Sequence, residues 1–365
     1  MIVAIPREIK ADEYRVAITP TGVSVLKDDG HTVLLQSGAG EGAGFDDRQY
    51  ASSGAEIISD AESLYRQAEL VVKVKEPLPE EIAVFRKELV VFGYFHFASS
   101  RELTERCLAA GFSAVAYETV TDSDGYLPLL APMSEVAGKL ATQQGAKYLE
   151  KPMGGRGVLL GGTAGVGPAN VLVLGGGVVG TTAARIAAGM GAQVVIMDID
   201  HRRLHLLNDI MPANVSTVYC DRQSVRTQTA RADLVIGAVL IPGAKTPKLI
   251  TSDMLKDMKD GSVIVDVCVD QGGCVETAKP TTHRKPTYVV DGVVHYCVAN
   301  MPSAVSRTST QALCNATLPY ARNLARAGLD GFCAIDAAHA AGLNMRNGKL
   351  THPALIEAFE DLPCQ

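Results

Sequence analysis

The sequence contains no run or stripe of basic residues, and its formal net charge is −6. Because surfaces that bind nucleic acid are usually strongly basic, we expect no nucleic-acid partner. The N-terminal stretch MIVAIPREIK carries charge early and lacks the apolar centre of a signal peptide. The longest weakly polar region, residues 158–180, holds many glycines and a proline, which favours loop, strand and turn over a membrane helix. We therefore expect a cytoplasmic protein without a membrane partner.

Metal-binding patterns are also missing. Eight cysteines and eight histidines are present, but no CxxC pair occurs and no histidines stand at metal-ligand spacing. The cysteines are typical of reduced, mostly buried thiols in a cytosolic protein, and we expect neither a structural nor a catalytic metal. No short-period repeat or low-complexity tail interrupts the chain.

The 365 residues, 47% of them hydrophobic, are enough for two domains with sizeable cores. In the first half, apolar stretches alternate with amphipathic ones. Strands are predicted at residues 2–5, 32–35, 70–75, 89–95 and 113–117, and helices at 61–68 and 101–110. This alternation indicates a parallel sheet covered by helices, so the predicted fold class is α/β.

The second half begins with a composition break. A helix is predicted at residues 133–151. We interpret the glycine-rich stretch after it as a loop whose backbone lies very close to a neighbouring group. A second strand–helix series starts at Val171, with later strands predicted at 232–237 and 262–267. From about Ser303 the pattern is mostly helical.

The strongest local motif is a glycine-rich turn after the predicted strand 171–174. Gly175, Gly177 and Gly180 have G-x-G-x-x-G spacing, and a second strand ends in Asp198. This unit predicts a dinucleotide site, with the pyrophosphate at the helix N-terminus. A carboxylate at Asp198 favours a free ribose 2′-hydroxyl, and therefore NAD. A glycine-rich turn in an unrelated α/β protein is the minor alternative.

Polar residues stand near the ends of several apolar stretches. VVKVK ends in Lys75, LVVFGYFH in His96, AVAYE in Glu118 and VIVDVCVD in Asp270. Because ligands of open α/β sheets bind beyond the carboxyl ends of the strands, this repeated placement predicts one polar crevice. Each residue alone could instead cap a strand and face water. Lys73 is predicted either to support Lys75 without touching the ligand or to be simply solvated.

Arg15 lies in a short extended segment after the first strand. Its planar guanidinium suits a bidentate grip on a carboxylate. The alternative is a surface salt bridge with Glu8, Asp12 or Glu13.

Segments spread over almost the whole chain resemble the alanine dehydrogenases, in the wider family that includes the first subunit of nicotinamide nucleotide transhydrogenase. No single segment is specific, but together they are. They are PREIKADEYRVAITP, VVKVKEPLPEE, GYFHFA, AYETV, PMSEVAGKLATQQGA, LGGGVVGTTAARIAAGMGA, IGAVLIPGAKTPKLI, VIVDVCVDQGGCVET and HYCVANMPSAVSRTST.

This resemblance implies two Rossmann-like domains with an active-site cleft between them. An NAD-binding Rossmann domain would span residues 132–301, and a discontinuous substrate domain would combine 1–131 with 302–365. The implied reaction is reversible oxidative deamination, in which L-alanine, NAD and water give pyruvate, ammonium and NADH. A homohexamer is implied, with a dimer as the alternative.

The matching motifs also imply roles for individual residues. Arg15 and Lys75 would bind the substrate. His96 would donate and accept the proton, and Asp270 would orient the attacking water or ammonia. The implied cofactor contacts are Ser134, Gly175, Gly177, Val178, Val179, Gly180, Asp198, Arg203, Cys220, Val239, Leu240, Val267, Cys268, Val269, Asp270, Lys279, Val298, Ala299, Asn300 and Met301.

Three positions depart from the family pattern. Cys220 stands where serine is common, which puts a hydroxyl contact to the cofactor in doubt. Ser303 and Ser306 stand where glycine and proline are usual, in a loop implied to lie close to the nicotinamide. A side chain at a former glycine predicts strained backbone or a shifted loop, and a modest change in cofactor affinity.

Two other functions fit parts of the pattern. A transhydrogenase subunit would pass hydride between two dinucleotides beside a membrane partner. An NAD(H)-binding sensor would carry a decayed active site. The presence of Lys75, His96 and Asp270 favours the dehydrogenase over both.

Overall fold

The structure is a computed structural model that describes residues 1–239 and 246–365. It divides into two compact units. Unit 1 comprises Met1–Met133 and Ser303–Gln365, and unit 2 comprises Ser134–Pro302. No helix among the described residues is both long and apolar enough to cross a membrane.

Strands and helices alternate along most of the chain. The strands are β1 (Ile2–Ile5), β2 (Thr32–Gln36), β3 (Glu56–Ile58), β4 (Leu70–Val72), β5 (Val90–Gly93), β6 (Ser113–Ala116), β7 (Asn170–Leu174), β8 (Gln193–Asp198), β9 (Val215–Tyr219), β10 (Leu234–Gly237), β11 (Val263–Asp266), β12 (Thr287–Val290), β13 (Val293–Tyr296), β14 (Leu343–Arg346) and β15 (Lys349–Leu350). The helices are α1 (Pro20–Asp28), α2 (Asp47–Ser52), α3 (Ala61–Gln67), α4 (Pro79–Ile82), α5 (Arg101–Ala110), α6 (Ala131–Tyr148), α7 (Val178–Gly189), α8 (His201–Ile210), α9 (Arg222–Arg231), α10 (Ser252–Leu255), α11 (Ser306–Cys333), α12 (Ala337–Ala341) and α13 (Pro353–Ala358).

Each unit is built on one mostly parallel sheet. In unit 1 the strand order is β15-β14-β6-β5-β4-β1-β2-β3, and in unit 2 it is β12-β13-β11-β10-β7-β8-β9. The tail strand β14 pairs antiparallel with β6, which places the C-terminal segment on the sheet of the first half. The predicted α/β class, with parallel sheets flanked by helices, is confirmed.

The central strands are apolar along most of their length because both faces of each sheet are covered. In unit 1, Val71, Val91 and Ala114 are fully buried in one cluster. In unit 2, Val235 and Ile264 occupy the equivalent cluster. Unbroken apolar runs of this kind are what made these strands recognisable in the sequence.

Several strands end earlier than predicted. The strand predicted at 70–75 ends at Val72, because the backbone N–H of Val74 donates to the carboxylate of Glu8 (2.6 Å). The strand predicted at 89–95 covers Val90–Gly93, and that at 262–267 covers Val263–Asp266. The polar residues beyond them therefore lie in the connecting turns. The short strand β3 was not predicted.

Candidate active site

The glycine-rich turn joins β7 to α7 in unit 2. Gly175 has a left-handed φ of 97°, and a Cβ at that position would lie 2.7 Å from the carbonyl oxygen of Ala238. A Cβ at Gly180 would lie 1.8 Å from the carbonyl oxygen of Gly175, so the close helix–strand approach excludes any side chain. At Gly177 an added Cβ would meet open space. That position leaves the backbone at the N-terminus of α7 open to a phosphate group, and the turn therefore fits a dinucleotide.

Asp198 and Arg203 are both tied to this turn. Asp198 Oδ2 accepts a hydrogen bond from the Gly176 N–H (2.7 Å), and Oδ1 accepts one from the Asp200 N–H (2.9 Å). Arg203 donates from Nε to the Gly176 carbonyl (2.5 Å) and from its guanidinium to Thr181 Oγ1 (2.8 Å). The carboxylate is thus held in place at the end of β8. The hydrogen bonds by which Arg203 stabilises the turn were not predicted from the sequence.

Most other cofactor candidates follow the carboxyl ends of neighbouring strands in unit 2. Cys220 follows β9, Val239 follows β10, residues 267–270 follow β11 and residues 298–301 follow β13. Since parallel strands share one carboxyl edge, these positions border the same edge as the glycine turn. Ser134 lies on α6, Lys279 is an exposed loop residue, and Leu240 lies outside the described residues.

Cys220 is half-buried, and burial raises the pKa of its thiol. The thiol therefore remains protonated near neutral pH. Its neighbours Asp198 and Asp221 act in the same direction. A protonated thiol is a weaker hydrogen-bonding group than the hydroxyl common at this position.

Ser303 does not have the strained backbone that the sequence suggested. The described non-glycine residues that have a left-handed φ do not include Ser303. Its side chain is fully buried, and its hydroxyl donates to the carbonyl oxygen of Asp12 (2.7 Å). Ser306 donates in the same way to the carbonyl of Gly42 (2.6 Å). Both hydroxyls therefore fasten the start of α11 to loops of unit 1.

Arg15 in unit 1 is paired with Glu13, but the pair is buried and not on the surface. Arg15 Nε donates to Glu13 Oε1 (2.6 Å), and a terminal nitrogen donates to Met133 Sδ (3.1 Å). The side chains of Arg15 and Glu13 are 2% and 0% exposed. Burial alone would lower the pKa of Arg15, but the Glu13 carboxylate raises it overall. These contacts fix the plane of a permanently charged guanidinium.

Lys75 is a half-buried cation in the turn after β4. Among the described residues, none accepts a hydrogen bond from its Nζ. Its neighbour Glu76 is ion-paired with Lys10 instead. Burial lowers the pKa of Lys75, and the charges of Arg15 and Lys10 lower it further against the opposing effect of Glu76. The ammonium is therefore available to an anionic or carbonyl ligand.

Lys73 is not solvated; its side chain is 1% exposed between two carboxylates. Its Nζ lies 3.1 Å from Glu8 Oε2 and 3.3 Å from Glu81 Oε1. Tyr65 donates its hydroxyl to Glu81 Oε1 (2.6 Å). We call Glu8, Lys73 and Glu81 the buried triad. The same Glu8 carboxylate holds the Val74 N–H, so the triad fixes the turn that carries Lys75.

Glu8 and Glu81 were missed by sequence reasoning, although a signal was present. A lysine inside an apolar strand is rarely buried without a partner. Glutamates at Glu8 and in the segment PEEI were the available partners. Sequence separation hid the pairing, because Glu8 and Lys73 come together only when β1 and β4 pair.

His96 lies beyond β5 in a left-handed conformation with φ 52°. Its backbone N–H donates to Glu118 Oε1 (2.5 Å), and its Nδ1 lies 3.9 Å from the same oxygen. The ring stacks on Tyr94, with centroids 5.8 Å apart. The His96 side chain is 42% exposed, so a proton at the ring can exchange with a ligand. Non-glycine residues in left-handed backbone often occur at functional sites.

The structure brings three of the substrate candidates to one edge of the unit 1 sheet. In the parallel pairing of β4 with β5, Val72 lies opposite Phe92. Lys75 and His96 each follow these positions by a few residues, at the carboxyl ends of the two strands. Arg15 follows β1, which pairs parallel with β4, and its charge lowers the pKa of Lys75. Asp270 belongs to unit 2, where it is exposed in a short 3-10 turn, Val269–Gln271.

Two family models match the chain. The model of the alanine dehydrogenase/PNT N-terminal domain matches residues 4–137, and the model of the C-terminal domain matches residues 141–353. The chain belongs to the alanine dehydrogenase/PNT family. Membership confirms the family resemblance and implies a nicotinamide nucleotide cofactor.

Individual relatives agree with this assignment. Alanine dehydrogenase of Halomonas elongata is 54% identical over 98% of this chain and 97% of that protein. A solved L-alanine dehydrogenase superposes with a TM-score of 0.95 at 50% identity and covers 99% of each chain. A transhydrogenase structure from Sinorhizobium meliloti superposes with a TM-score of 0.81 at 25% identity, covering 97% of this chain and 100% of that one. This family member is thus more similar to these alanine dehydrogenases than to that transhydrogenase.

Proposed function

We propose that this chain catalyses the reversible NAD-dependent oxidative deamination of L-alanine to pyruvate and ammonium. The observation that carries the proposal is the group of Arg15, Lys75 and His96 at one edge of the unit 1 sheet. The two cations suit the binding of a small carboxylic acid, and the exposed imidazole suits proton transfer to and from it. The identity of about half the residues, over nearly full length, with proteins named alanine dehydrogenase supports the same reaction.

Arg15 and Lys75 bind the anionic substrate in this proposal. Arg15 is held rigidly by Glu13 and takes the carboxylate shared by L-alanine and pyruvate. No described residue accepts a hydrogen bond from Lys75 Nζ, and in this proposal the ammonium stabilises the negative charge that develops on the substrate oxygen. The buried triad keeps the Lys75 turn in place.

His96 and Asp270 move the protons. Oxidation at the α-carbon leaves an imine, and water adds to it to give a carbinolamine whose C–N bond then breaks. His96 accepts a proton from the attacking water and returns one to the departing nitrogen, and Asp270 orients the water. Histidine suits this task because its usual pKa lies near neutral pH.

The cofactor site is proposed in unit 2, and the residues present fit NAD. When bound, the nicotinamide nucleotide accepts the hydride from the substrate α-carbon. Gly177 leaves room for the pyrophosphate, and Asp198 accepts from the ribose hydroxyls and repels a 2′-phosphate. The other implied cofactor contacts named from the sequence belong to this proposal. A homohexamer is proposed from the family resemblance alone, and the proposed cytoplasmic location is the expectation drawn from the sequence.

The test is a spectrophotometric assay in both directions. NADH should form from L-alanine and NAD at alkaline pH, and NADH should be consumed when pyruvate and ammonium are supplied together. Oxidation of NADH by a second dinucleotide without ammonium would identify a transhydrogenase instead. NADH binding without turnover in either direction would identify a sensor.

A further inference from the structure

A compact cluster of one carboxylate and two thiols lies in unit 2, and only Cys268 among its members is an implied cofactor contact. It consists of Asp266, Cys268 and Cys274, which we call the Asp–Cys–Cys cluster. One ligand atom from each residue lies within 4.8 Å of the other two. All three residues are buried, with Asp266 and Cys274 completely inaccessible. The spacing D-x-C-x5-C is not among the common zinc patterns, so the sequence did not reveal it.

The fold makes room for this cluster at the end of β11. Asp266 is the last residue of β11 and pairs with Gly237 of β10. A Cβ at Gly237 would lie 2.4 Å from Cys274 Sγ and 3.2 Å from Asp266 Oδ1. Only glycine therefore leaves space for the sulfur beside the carboxylate.

The loop after β11 wraps around the Asp266 carboxylate. Oδ1 accepts from the Cys268 N–H (3.1 Å), and Oδ2 accepts from the Val275 N–H (3.2 Å). Lys248 holds the outer side of the loop by donating to the carbonyls of Gly272, Gly273 (2.9 Å) and Val275 (3.1 Å). The Asp266 carboxylate is thus positioned by backbone contacts.

We propose that the Asp–Cys–Cys cluster binds a thiophilic divalent cation of the zinc class. Two thiolates and one carboxylate are a donor set that such ions accept, with metal–sulfur bonds of about 2.3 Å. Ligand atoms around a tetrahedral ion with such bonds are about 3.8 Å apart, so side-chain shifts of about 1 Å bring these atoms into range. Gln271 Oε1, in the same loop, is buried and has no hydrogen-bond partner among the described residues, which makes it a candidate fourth ligand.

Each metal–sulfur bond forms with loss of the thiol proton to solvent, so binding of one ion through both cysteines releases two protons.

Metal binding should inhibit the proposed reaction, and this consequence rests on the proposed function. Asp270 lies between the two cysteines, in the turn Val269–Gln271. A bound ion would tie both ends of this turn together and restrict the residue proposed to orient water. Inhibition should therefore follow occupancy of the site.

The experiment uses the full-length protein, kept reduced with a phosphine and titrated with Co²⁺ as the probe. We expect a thiolate-to-cobalt charge-transfer band that saturates at a single ion per chain. The band should be lost in Cys268→Ala and in Cys274→Ala. It should persist in Cys107→Ala, a matched control in which another buried free cysteine, in unit 1, is removed. Far-UV circular dichroism establishes that each variant is folded.

Two results would overturn the proposal. One is the absence of a charge-transfer band in folded wild-type protein at excess Co²⁺. The other is a band that survives in folded Cys268→Ala, which can be tested even if Cys274→Ala does not fold. The band requires no catalysis, so a saturating band in a protein that fails the alanine assay would refute the proposed function and leave the metal site intact.

Discussion

Replacing Lys73 with methionine should destabilise unit 1 severely. The substitution keeps an unbranched side chain but removes the charge that lies 3.1 Å from Glu8 and 3.3 Å from Glu81. Removing one partner of a buried ion pair typically costs about 3–5 kcal/mol, because the remaining charge is left unpaired. Here two carboxylates would remain, so we expect a loss at the upper end of that range at pH 7.

The loss should depend on pH in a defined direction. Burial already raises the pKa of Glu8, and Lys73 opposes that shift. Without Lys73 the folded-state pKa of Glu8 moves further above its unfolded value, and each unit corresponds to about 1.4 kcal/mol. A group with a raised folded pKa binds more protons in the folded state, so stability falls as pH rises through that range. The variant should therefore recover part of its stability at pH 5.

Urea unfolding followed by far-UV circular dichroism measures this effect, since the chain has no tryptophan for fluorescence. The matched control is Arg66→Met, which breaks a pair with Glu62 whose side chains are 70% and 50% exposed. Exposed helical pairs contribute only about 0.3–0.5 kcal/mol. A loss below about 1 kcal/mol for Lys73→Met, or one that does not change between pH 5 and pH 7, would refute the role assigned to the buried triad.

Four further predictions concern the proposed reaction. His96→Ala should abolish turnover while leaving NADH binding intact by titration; near wild-type turnover would remove His96 as the acid–base group. Asp198→Ala should weaken the preference for NAD over NADP in initial-rate measurements, and an unchanged ratio would mean that another group contacts the ribose. Because burial lowers the pKa of Lys75, its charge is lost at lower pH than in a free lysine, and the KM for pyruvate should rise as pH increases through that pKa. In Lys75→Arg, this rise in the KM for pyruvate should occur at higher pH. A pH dependence of KM that is the same in the variant would contradict the role of Lys75. Ser303→Gly should remove the hydrogen bond to Asp12 and change the affinity for NAD modestly, whereas an unchanged Kd would show that the position does not affect the cofactor.

The elements that sequence reasoning predicted best are those whose pattern is local. The buried strand 171–174 was recognised from an unbroken apolar run, and the turn after it from the spacing of three glycines. The structure gives two of them a local reason: Gly175 has a left-handed φ of 97°, and a Cβ at Gly180 would lie 1.8 Å from the carbonyl oxygen of Gly175. The edge strand Glu56–Ile58 was missed because it is short and partly exposed, so it carries no apolar run.

The features that escaped prediction depend on contacts between distant residues. Lys73 and Glu8 come together only after β1 and β4 have paired, and the same Glu8 carboxylate accepts the Val74 N–H beyond the end of the strand at Val72. Glu13 was one of three partners named for Arg15 in the alternative of a surface salt bridge, but the burial of the pair could not be inferred from neighbours along the chain. The attachment of the tail through β14 came from the family resemblance and not from the residue pattern.

The central claim is that substrate and nicotinamide nucleotide react directly on this chain. L-alanine labelled with deuterium at the α-carbon tests it most directly, with the reduced nucleotide analysed by mass spectrometry. We predict that the NADH formed carries the deuterium, and that pyruvate and ammonium appear in equal amounts. Unlabelled NADH, or no NADH from a folded protein that binds NAD, would contradict the account.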